Sequence, residues 1–587
     1  MTSRYLLFLC LAGLWACQTP PPASSPPNVL LIMTDDQGYG DLSLYENDSI
    51  FTPTLDRLSG EGMRLESFYV TPLCAPTRAS LLTGRYHLRT GTFWVTKGTE
   101  NMRTEETTLA EMFGEAGYAT GIFGKWHNGA HYPQDPIGQG FDEFVGFSSG
   151  HWTNYFDSPL KYQDQMKPTQ GFITDVLTDE AISFIQRKKD QPFFCYLPYN
   201  APHGPFQVPD AYFDRYKALG MTDRNAAIYG MVENVDDNVG RLLATLDSLQ
   251  LAENTIVVFL TDNGPNGNRY NGGMRGWKAS VHEGGHRVPC FVRWPGKVAA
   301  GSVNHELTAV MDLMPTLRGL TGIAEGKHLP WDGIDLSAML LGDSLALPDR
   351  PLFTHVSRKA NLKPYPGSMR QGQFRMLIND QNQTELYDIV ADPAEEINLA
   401  DSLPNRTAEM QKAYEAWFQS CDYQPTGGIP LGYAEAPVVE LAAHEARISG
   451  DIHFLANPNG WAHDWLVNWS SPEDTIQWDL EVRTAGNYEV SLRYSCKEED
   501  LGAEISVEVG QERILFTLEE AFYPKKVPNP DRVPGRQEAL EQSWREVRLG
   551  PINLREGAQN LKLTATRVPG TEAAVVKALI LKPMPES

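Results

Sequence analysis

Leu73-Cys74-Ala75-Pro76-Thr77-Arg78-Ala79-Ser80-Leu81-Leu82-Thr83-Gly84-Arg85 is the stretch on which the reading of this chain turns. A lone cysteine is ordinarily a small apolar core residue. Here Pro72 and Pro76 bracket it, and prolines on either side suit a turn running into a helix better than a packed strand. From Thr77 to Thr83 small and apolar residues recur at helical spacing, which places Arg78 one turn beyond Cys74 at a helix start. The free backbone N–H groups of a helix start attract an anion, and an arginine there clamps an oxyanion.

Working outward, apolar runs alternate with helical patterns. Val29-Leu30-Leu31-Ile32-Met33 ends in Asp35-Asp36, and unbroken apolarity of this kind predicts a parallel strand buried on both faces. A short helix is expected at 55–60, a strand over 63–70 leading to Cys74, a helix over 109–117 and a strand over 119–123. A helix at 173–186 precedes the apolar run Phe193-Phe194-Cys195-Tyr196-Leu197, and a long helix at 226–249 precedes a strand at 255–260. Strands alternating with helices predict a doubly wound α/β sheet. Ligands of such sheets lie beyond the carboxyl ends of the strands. Polar residues gather there: Asp35 and Asp36, Lys125 and His127, His203, Asp262 and Asn263, with Lys278 and Glu283-Gly284-Gly285-His286-Arg287-Val288-Pro289 soon after. The last run is read as a structural turn in which Gly284 and Gly285 permit unusual backbone angles.

The stretch around Cys74 resembles the signature of the type I, formylglycine-dependent sulfatases of the alkaline phosphatase superfamily: Cys-x-Pro-x-Arg, a small residue, then Leu-x-Thr-Gly. A further region over 352–417, with Leu386-Tyr387-Asp388-Ile389 and Asp392-Pro393-Ala394-Glu395-Glu396-Ile397-Asn398-Leu399, resembles their small C-terminal subdomain, whose helix falls at 408–418. The resemblance spans roughly 28–417. It implies that Cys74 is oxidised to formylglycine during export by a formylglycine-generating or anaerobic sulfatase-maturating enzyme. A hydrated aldehyde offers two hydroxyls on one carbon; one attacks sulfur, and the other loses its proton so that the covalent ester collapses and frees sulfate. It also implies one divalent cation held by Asp35, Asp36, Asp262, Asn263 and residue 74, and an all-oxygen set rich in carboxylates selects Ca²⁺ or Mg²⁺. By the same resemblance Arg78 stabilises the formylglycine, Lys125 and Lys278 neutralise sulfate oxygens, His203 is the general acid near the leaving oxygen, and His127 acts on the second hydroxyl. Taken singly, an Asp-Asp pair is a solvated turn or cap, each lysine a surface charge and each histidine a structural donor. The family also places a serine near the substrate; Phe147-Ser148-Ser149-Gly150-His151 is the region concerned, and no residue in it is assigned.

Two other functions compete with sulfate ester hydrolysis. Phosphonate or phosphodiester hydrolases of the same superfamily also carry Cys-x-Pro-x-Arg, but tend to Asp-His where this chain has Asp262-Asn263. A catalytically dead surface glycan-binding lipoprotein is the other, and it is disfavoured because every carried-over position keeps its chemistry.

The chain has 587 residues, more than one core organises, so several domains are expected. A formal charge of −24 argues against nonspecific nucleic-acid binding. Arg4 and the apolar residues that follow, through Ala16, are too short to span a bilayer permanently and read as an export signal. Leu14-Trp15-Ala16-Cys17 resembles a bacterial lipobox, apart from the bulky Trp15. If it is one, Cys17 is lipidated, 18–27 is a tether, and the enzyme sits in the periplasm or on the envelope surface; otherwise ordinary cleavage frees a soluble exported protein. The boundaries then run 1–17 signal, 18–27 tether, 28–345 catalytic domain, 346–424 subdomain, 425–437 linker and 438–587 a second domain. In that last part strands at 475–480, 487–494, 504–509 and 561–566 without a long helix predict an all-β sandwich resembling carbohydrate-binding modules. Trp461, Trp465 and Trp469 are open to two readings, a sugar-stacking platform or sandwich core. Of the 7 cysteines, Cys195 and Cys290 lie in apparent buried strands and are expected to be free thiols, and no zinc-like spacing occurs. The expected substrate is a sulfated polysaccharide or its oligosaccharides.

Overall fold

A computed structural model describes residues 25–343, 347–538 and 540–585; the signal and lipidation readings at residues 1–24, Cys17 among them, fall outside these. Asn28–Thr34 is a strand buried along its whole length. It pairs in parallel with Phe193–Pro198 on one side and Thr255–Thr261 on the other. Ala119–Lys125 continues the sheet beside Phe193–Pro198, with Glu143–Phe147 parallel beyond it, and Cys290–Arg293 runs antiparallel next to Thr255–Thr261. Alternate side chains of the first strand serve opposite cores, as the two-residue period of a strand requires. Leu30 and Ile32 join the helices Ile173–Lys188 and Asp223–Ser248 in one core. Val29, Leu31 and Met33 join Cys74–Thr83, Leu109–Glu115 and Leu313–Thr321 in the other. The predicted doubly wound α/β sheet is therefore present, covered by helices on both faces.

The stretch expected as one strand over 63–70 is two. Met63–Leu65 lies in the main sheet and Phe68–Tyr69 pairs with Thr308–Ala309. Polar Glu66 and Ser67 form the break, and the Glu66 carboxylate accepts a hydrogen bond from Tyr39 Oη at 2.6 Å.

Beyond the main sheet, Leu352–His355, Gly367–Gln371, Phe374–Ile378 and Thr384–Asp388 make a four-stranded antiparallel sheet. The helix Pro404–Ser420 packs on it through Met410, Tyr414 and Trp417. The approach is so close at Gly367 that a Cβ would meet Tyr414 Oη at 1.9 Å.

The C-terminal part is all β: two sheets enclose a core that includes Trp469, Trp478, Leu492 and Leu563. The stretch read as linker contributes a strand of its own, Ile429–Leu431, parallel to Leu480–Val482, because a short apolar run beside an open sheet edge gains ladder hydrogen bonds there. Of the three tryptophans only Trp469 follows the sandwich-core reading; the other two pack at its margin. Trp469 is in the core, Trp465 packs edge-on against Trp544, and Trp461 lies 5.5 Å from Trp94 of the catalytic region. Cys195 and Cys290 are buried and free, as expected. Among the described residues no helix is long and apolar enough to cross a membrane.

Candidate active site

Cys74 opens the helix Cys74–Thr83, so the local reading of the quoted stretch holds. Thr77 anchors the turn before it, its hydroxyl donating to Thr71 O at 2.9 Å and accepting from Thr71 N at 3.1 Å. Burial pushes the Cys74 thiol above its ordinary pKa although Lys125 and Lys278 pull the other way. The unmodified thiol is therefore neutral and a poor nucleophile at neutral pH.

The parallel strands end beside it. Asp35 and Asp36 follow Asn28–Thr34, Lys125 ends its strand, and Asp262 and Asn263 follow Thr255–Thr261, all fully or almost fully buried. Lys125 Nζ meets Asp35 Oδ2 at 2.5 Å, and Lys278 Nζ meets Asp36 Oδ1 at 2.6 Å. Arg78 donates to Asp262 Oδ2 and to Lys125 O, both at 2.9 Å. The carboxylates of Asp35, Asp36 and Asp262 thus balance the cations of Arg78, Lys125 and Lys278 in a buried cluster, and such charges persist only when paired. Burial works against the charge of Asp36, but Lys278 and His203 outweigh it and hold its pKa well below the usual carboxylate range. Asp262 goes the other way: burial and then nearby Asp35 push it up in spite of Arg78 and Lys125.

Oxygens of this cluster are left over. Asp35 Oδ1, Asp36 Oδ2 and Asn263 Oδ1 are buried with no hydrogen-bond partner, although Asn263 Nδ2 donates to Asp36 Oδ1 at 2.8 Å. Ligand atoms of Asp35, Cys74 and Asp262 lie within 4.8 Å of one another, as do those of Asp35, Asp36 and His203. Carboxylates gathered at this range, with unpartnered buried oxygens on Asp35, Asp36 and Asn263 beside them, fit a hard divalent cation. Asp36 is also held at φ 67°, a left-handed conformation that a non-glycine residue adopts only where its surroundings impose it.

The histidines are set by their second nitrogens. His203 Nδ1 lies 2.7 Å from Gly204 O and so carries the hydrogen, leaving Nε2 to face Asp36 Oδ2 at 3.7 Å. Tyr155 Oη fixes this loop by donating to His203 O and Gly204 O, both at 2.9 Å. Burial lowers the His203 pKa, with Asp36 opposing it. His127, at φ 65°, donates from Nε2 to Val95 O at 3.0 Å, and its Nδ1 is buried without a partner. Burial, then Lys125, hold it neutral. Gly150 lies so tightly over this ring that a Cβ would come within 2.5 Å of Nε2.

All the residues singled out in the sequence, Asp35, Asp36, Cys74, Arg78, Lys125, His127, His203, Asp262, Asn263 and Lys278, meet in this one place. Glu283–His286 lies just outside it and forms a single helical turn. Its glycines are there for close packing rather than unusual angles, since a Cβ on Gly285 would fall 2.1 Å from Ser280 O and one on Gly284 2.5 Å from Gly276 O. Glu283 is bound to Arg375, with which it ties the subdomain to the catalytic sheet.

Other residues at the site had no assigned role in the sequence, although the run Phe147 to His151 was marked there as the region of a substrate-side serine. His151 stacks 5.9 Å from His203, and Ser148 Oγ is buried and unpartnered. Both follow Glu143–Phe147, a parallel strand of the same sheet, so the strand-end rule pointed to them. His463 and Glu538 arrive from the β domain. His463 Nε2 lies 3.1 Å from Ser149 Oγ, and Ala462 O lies 3.0 Å from His151 Nε2. Nothing in the local sequence announces these two.

Comparison with known proteins agrees with this geometry. Residues 27–323 match the family model described as Sulfatase, and 273–419 match that described as N-sulphoglucosamine sulphohydrolase, C-terminal. The chain is 37% identical over 388 residues to N-acetylgalactosamine-6-sulfatase of Canis lupus familiaris, covering 60% of this chain and 72% of that one. It is 31% identical over 512 residues to arylsulfatase A of Homo sapiens, covering 75% of this chain and 96% of the relative. Among solved structures, that of Ps i-CgsB in complex with k-i-k-neocarrahexaose superposes with a TM-score of 0.64 at 30% identity, over 68% of this chain and 94% of that one.

Proposed function

We infer that this chain, which belongs to the sulfatase family and is a sulfuric ester hydrolase, removes sulfate from sulfated oligosaccharides or polysaccharides, with formylglycine at position 74 and a divalent cation between Asp35, Asp36, Asp262 and Asn263. The observation that carries the reading is the combination around Cys74 of buried, unpartnered oxygens on Asp35, Asp36 and Asn263 with the cations of Arg78, Lys125 and Lys278. That arrangement has places for a cation and for a sulfate at once. The sugar substrate is supported by the relatives, one named for N-acetylgalactosamine 6-sulfate and one solved with a neocarrahexaose.

Hydrated formylglycine would supply one hydroxyl to attack sulfur and another to release sulfate, and a bound Ca²⁺ or Mg²⁺ would polarise a sulfate oxygen. Arg78, at the start of Cys74–Thr83, stabilises the group at position 74, while Lys125 and Lys278 bind and orient the sulfate oxygens and stabilise charge that grows on them in the transition state. With its Nδ1 hydrogen committed to Gly204 O, His203 acts as general acid only as the imidazolium, taking up a proton at Nε2 with Asp36 beside it to favour that charge and passing it to the leaving oxygen. His127 accepts a proton at its bare Nδ1. The N-terminal apolar run and the lipobox-like Leu14-Trp15-Ala16-Cys17 support export to a bacterial envelope with a lipid on Cys17, ordinary cleavage to a soluble exported protein being the alternative, and a maturating enzyme would then be the partner during export.

The test has two parts. Peptide mass spectrometry of active enzyme shows an aldehyde or its hydrate in place of the Cys74 thiol, and a panel of defined sulfated oligosaccharides releases free sulfate. Full activity with an intact Cys74 thiol refutes the nucleophile; turnover of 4-nitrophenyl sulfate with no member of the panel desulfated refutes the substrate class.

A further inference from the structure

Between the strands Glu512–Thr517 and Arg545–Leu554 the β domain sends out a long loop, 518–544, that does not stay with its own sandwich. Its base is held as a ribbon, with Ser543 N donating to Lys525 O at 2.9 Å and an isolated bridge between Lys526 and Gln542. Its tip is bound to the segment that carries His203. Arg532 N donates to Phe206 O at 2.9 Å, and its guanidinium donates to Val208 O at 2.9 Å and pairs with Asp210. Asp531 accepts from Gln207 Nε2 at 2.7 Å, and Gln207 in turn accepts from Tyr155 N at 2.7 Å, the residue whose hydroxyl fixes the His203 carbonyl.

This docking delivers Glu538 to the reacting centre. A Cβ on Gly204, the residue after His203, would lie 3.4 Å from Glu538 Oε1. The side chain is half-buried. Unlike Asp531, Asp210 and the acidic residues of the metal cluster, it has no hydrogen bond or ion pair among the described residues. Burial alone would push its pKa up; His151, His203 and Lys278 outweigh this and keep it ionised at neutral pH. A carboxylate docked by so many contacts yet left with open acceptor sites is equipped to meet something that enters from outside.

We propose that Glu538, supplied by the β domain, is a specificity-determining residue of the catalytic site, accepting hydrogen bonds from a free hydroxyl next to the scissile ester and excluding substrates with a second anionic group there. The proposal rests on the reading of the substrate as a sulfated sugar. Its chemistry follows from position. His203 marks where the leaving oxygen sits, so a group beside His203 faces the carbon next to the ester-bearing one. An ionised carboxylate is acceptor-only, and a like charge brought against it in a partly desolvated site is strongly disfavoured. The β domain is on this account part of the substrate pocket, and removing it would strip a wall from the site for every substrate.

The experiment uses the full-length matured enzyme and two full-length variants, Glu538→Gln and Glu538→Ala. The probes are the monosulfated sugar that the wild type desulfates fastest and the same sugar carrying a second sulfate on the adjacent oxygen. The readout is the ratio of kcat/KM for the first over the second, with metal content and Tm as checks of integrity. The wild type should prefer the monosulfated sugar, and both variants should lower the ratio by on the order of tenfold to a hundredfold, Gln because it no longer repels an anion and Ala because it no longer accepts a hydrogen bond. A ratio within twofold of wild type in both variants overturns the role of Glu538 while leaving the sugar reading standing. Failure of both variants to fold assigns Glu538 to docking of the loop and also overturns it. A wild type that hydrolyses 4-nitrophenyl sulfate but no sugar refutes the substrate reading and this inference with it.

Discussion

Asp262→Asn separates a residue that holds the fold together from one kept in place for its chemistry. Asp262 is wholly buried, and its pKa is raised from 3.8 to about 6, by burial first and then by Asp35. The sign follows from linkage: an acid raised in the folded state makes a destabilising contribution that is absent below pH 3.8, grows as pH rises to about 6 and is constant above. At neutral pH that contribution is about 3 kcal/mol. Asparagine removes the charge and keeps an acceptor for Arg78, but its amide nitrogen then faces Asp36 N, which now donates to Asp262 Oδ1 at 3.2 Å. Losing that bond returns about 1 kcal/mol, so the metal-free variant should be more stable than metal-free wild type by about 1–2 kcal/mol, at roughly 2–4 °C of Tm per kcal/mol for a large domain. With Ca²⁺ at about a hundred times its Kd, the wild type gains about 2.7 kcal/mol and the variant gains nothing. The order of the two Tm values should therefore reverse between excess chelator and excess Ca²⁺, read by scanning calorimetry or dye fluorescence, and the variant should retain neither metal nor turnover. A variant less stable than wild type by the same amount in chelator and in Ca²⁺ would refute the reasoning, for it would make Asp262 a structural partner of Arg78 and nothing more.

The other expectations concern the histidines. His203→Ala should lower kcat/KM on a sugar sulfate by roughly 10²–10⁴, the range for a lost general acid, and by much less on 4-nitrophenyl sulfate, whose phenolate leaves without a proton; equal losses on both would remove His203 from that role. His131 and Glu445 join the catalytic region to the β domain at 2.8 Å. Burial opposes the His131 charge, but Glu445 wins and raises its pKa above 6.5; burial likewise opposes the Glu445 charge, and His131 lowers its pKa below 4.5. The His131 contribution is complete below pH 6.5 and is lost as pH rises through its folded value, while that of Glu445 is complete above pH 4.5 and is lost as pH falls through its own. His131→Gln should therefore cost most, about 1–3 kcal/mol, between those limits, and a Tm deficit that does not shrink toward alkaline pH would show that the pair is not ionic.

The sequence by itself determined the catalytic sheet and most of its site, because both depend on local pattern. Val29 to Met33 read as a strand covered on both faces, and Asp35, Lys125, His203 and Asp262 each follow an apolar run, so the rule that ligands lie at strand ends brings them together from the sequence. Cys74 and Arg78 were placed at a helix start by the prolines that frame it, a property of consecutive residues, and their roles came from the resemblance to the sulfatase signature. What tertiary structure alone decided is long-range. No local pattern says that Glu538, more than three hundred residues beyond His203, lies beside it. Its neighbours, Arg536-Gln537 before and Ala539-Leu540 after, show no strand or helix period, and the loop takes its course from contacts such as Arg532 with Val208 O, made to a backbone carbonyl that any residue could present. The leftover oxygens of Asp35, Asp36 and Asn263 are of the same kind. Residue type gives the number of acceptors, but only the folded arrangement shows which of them protein donors leave unsatisfied, and that remainder is what fits the site for a cation.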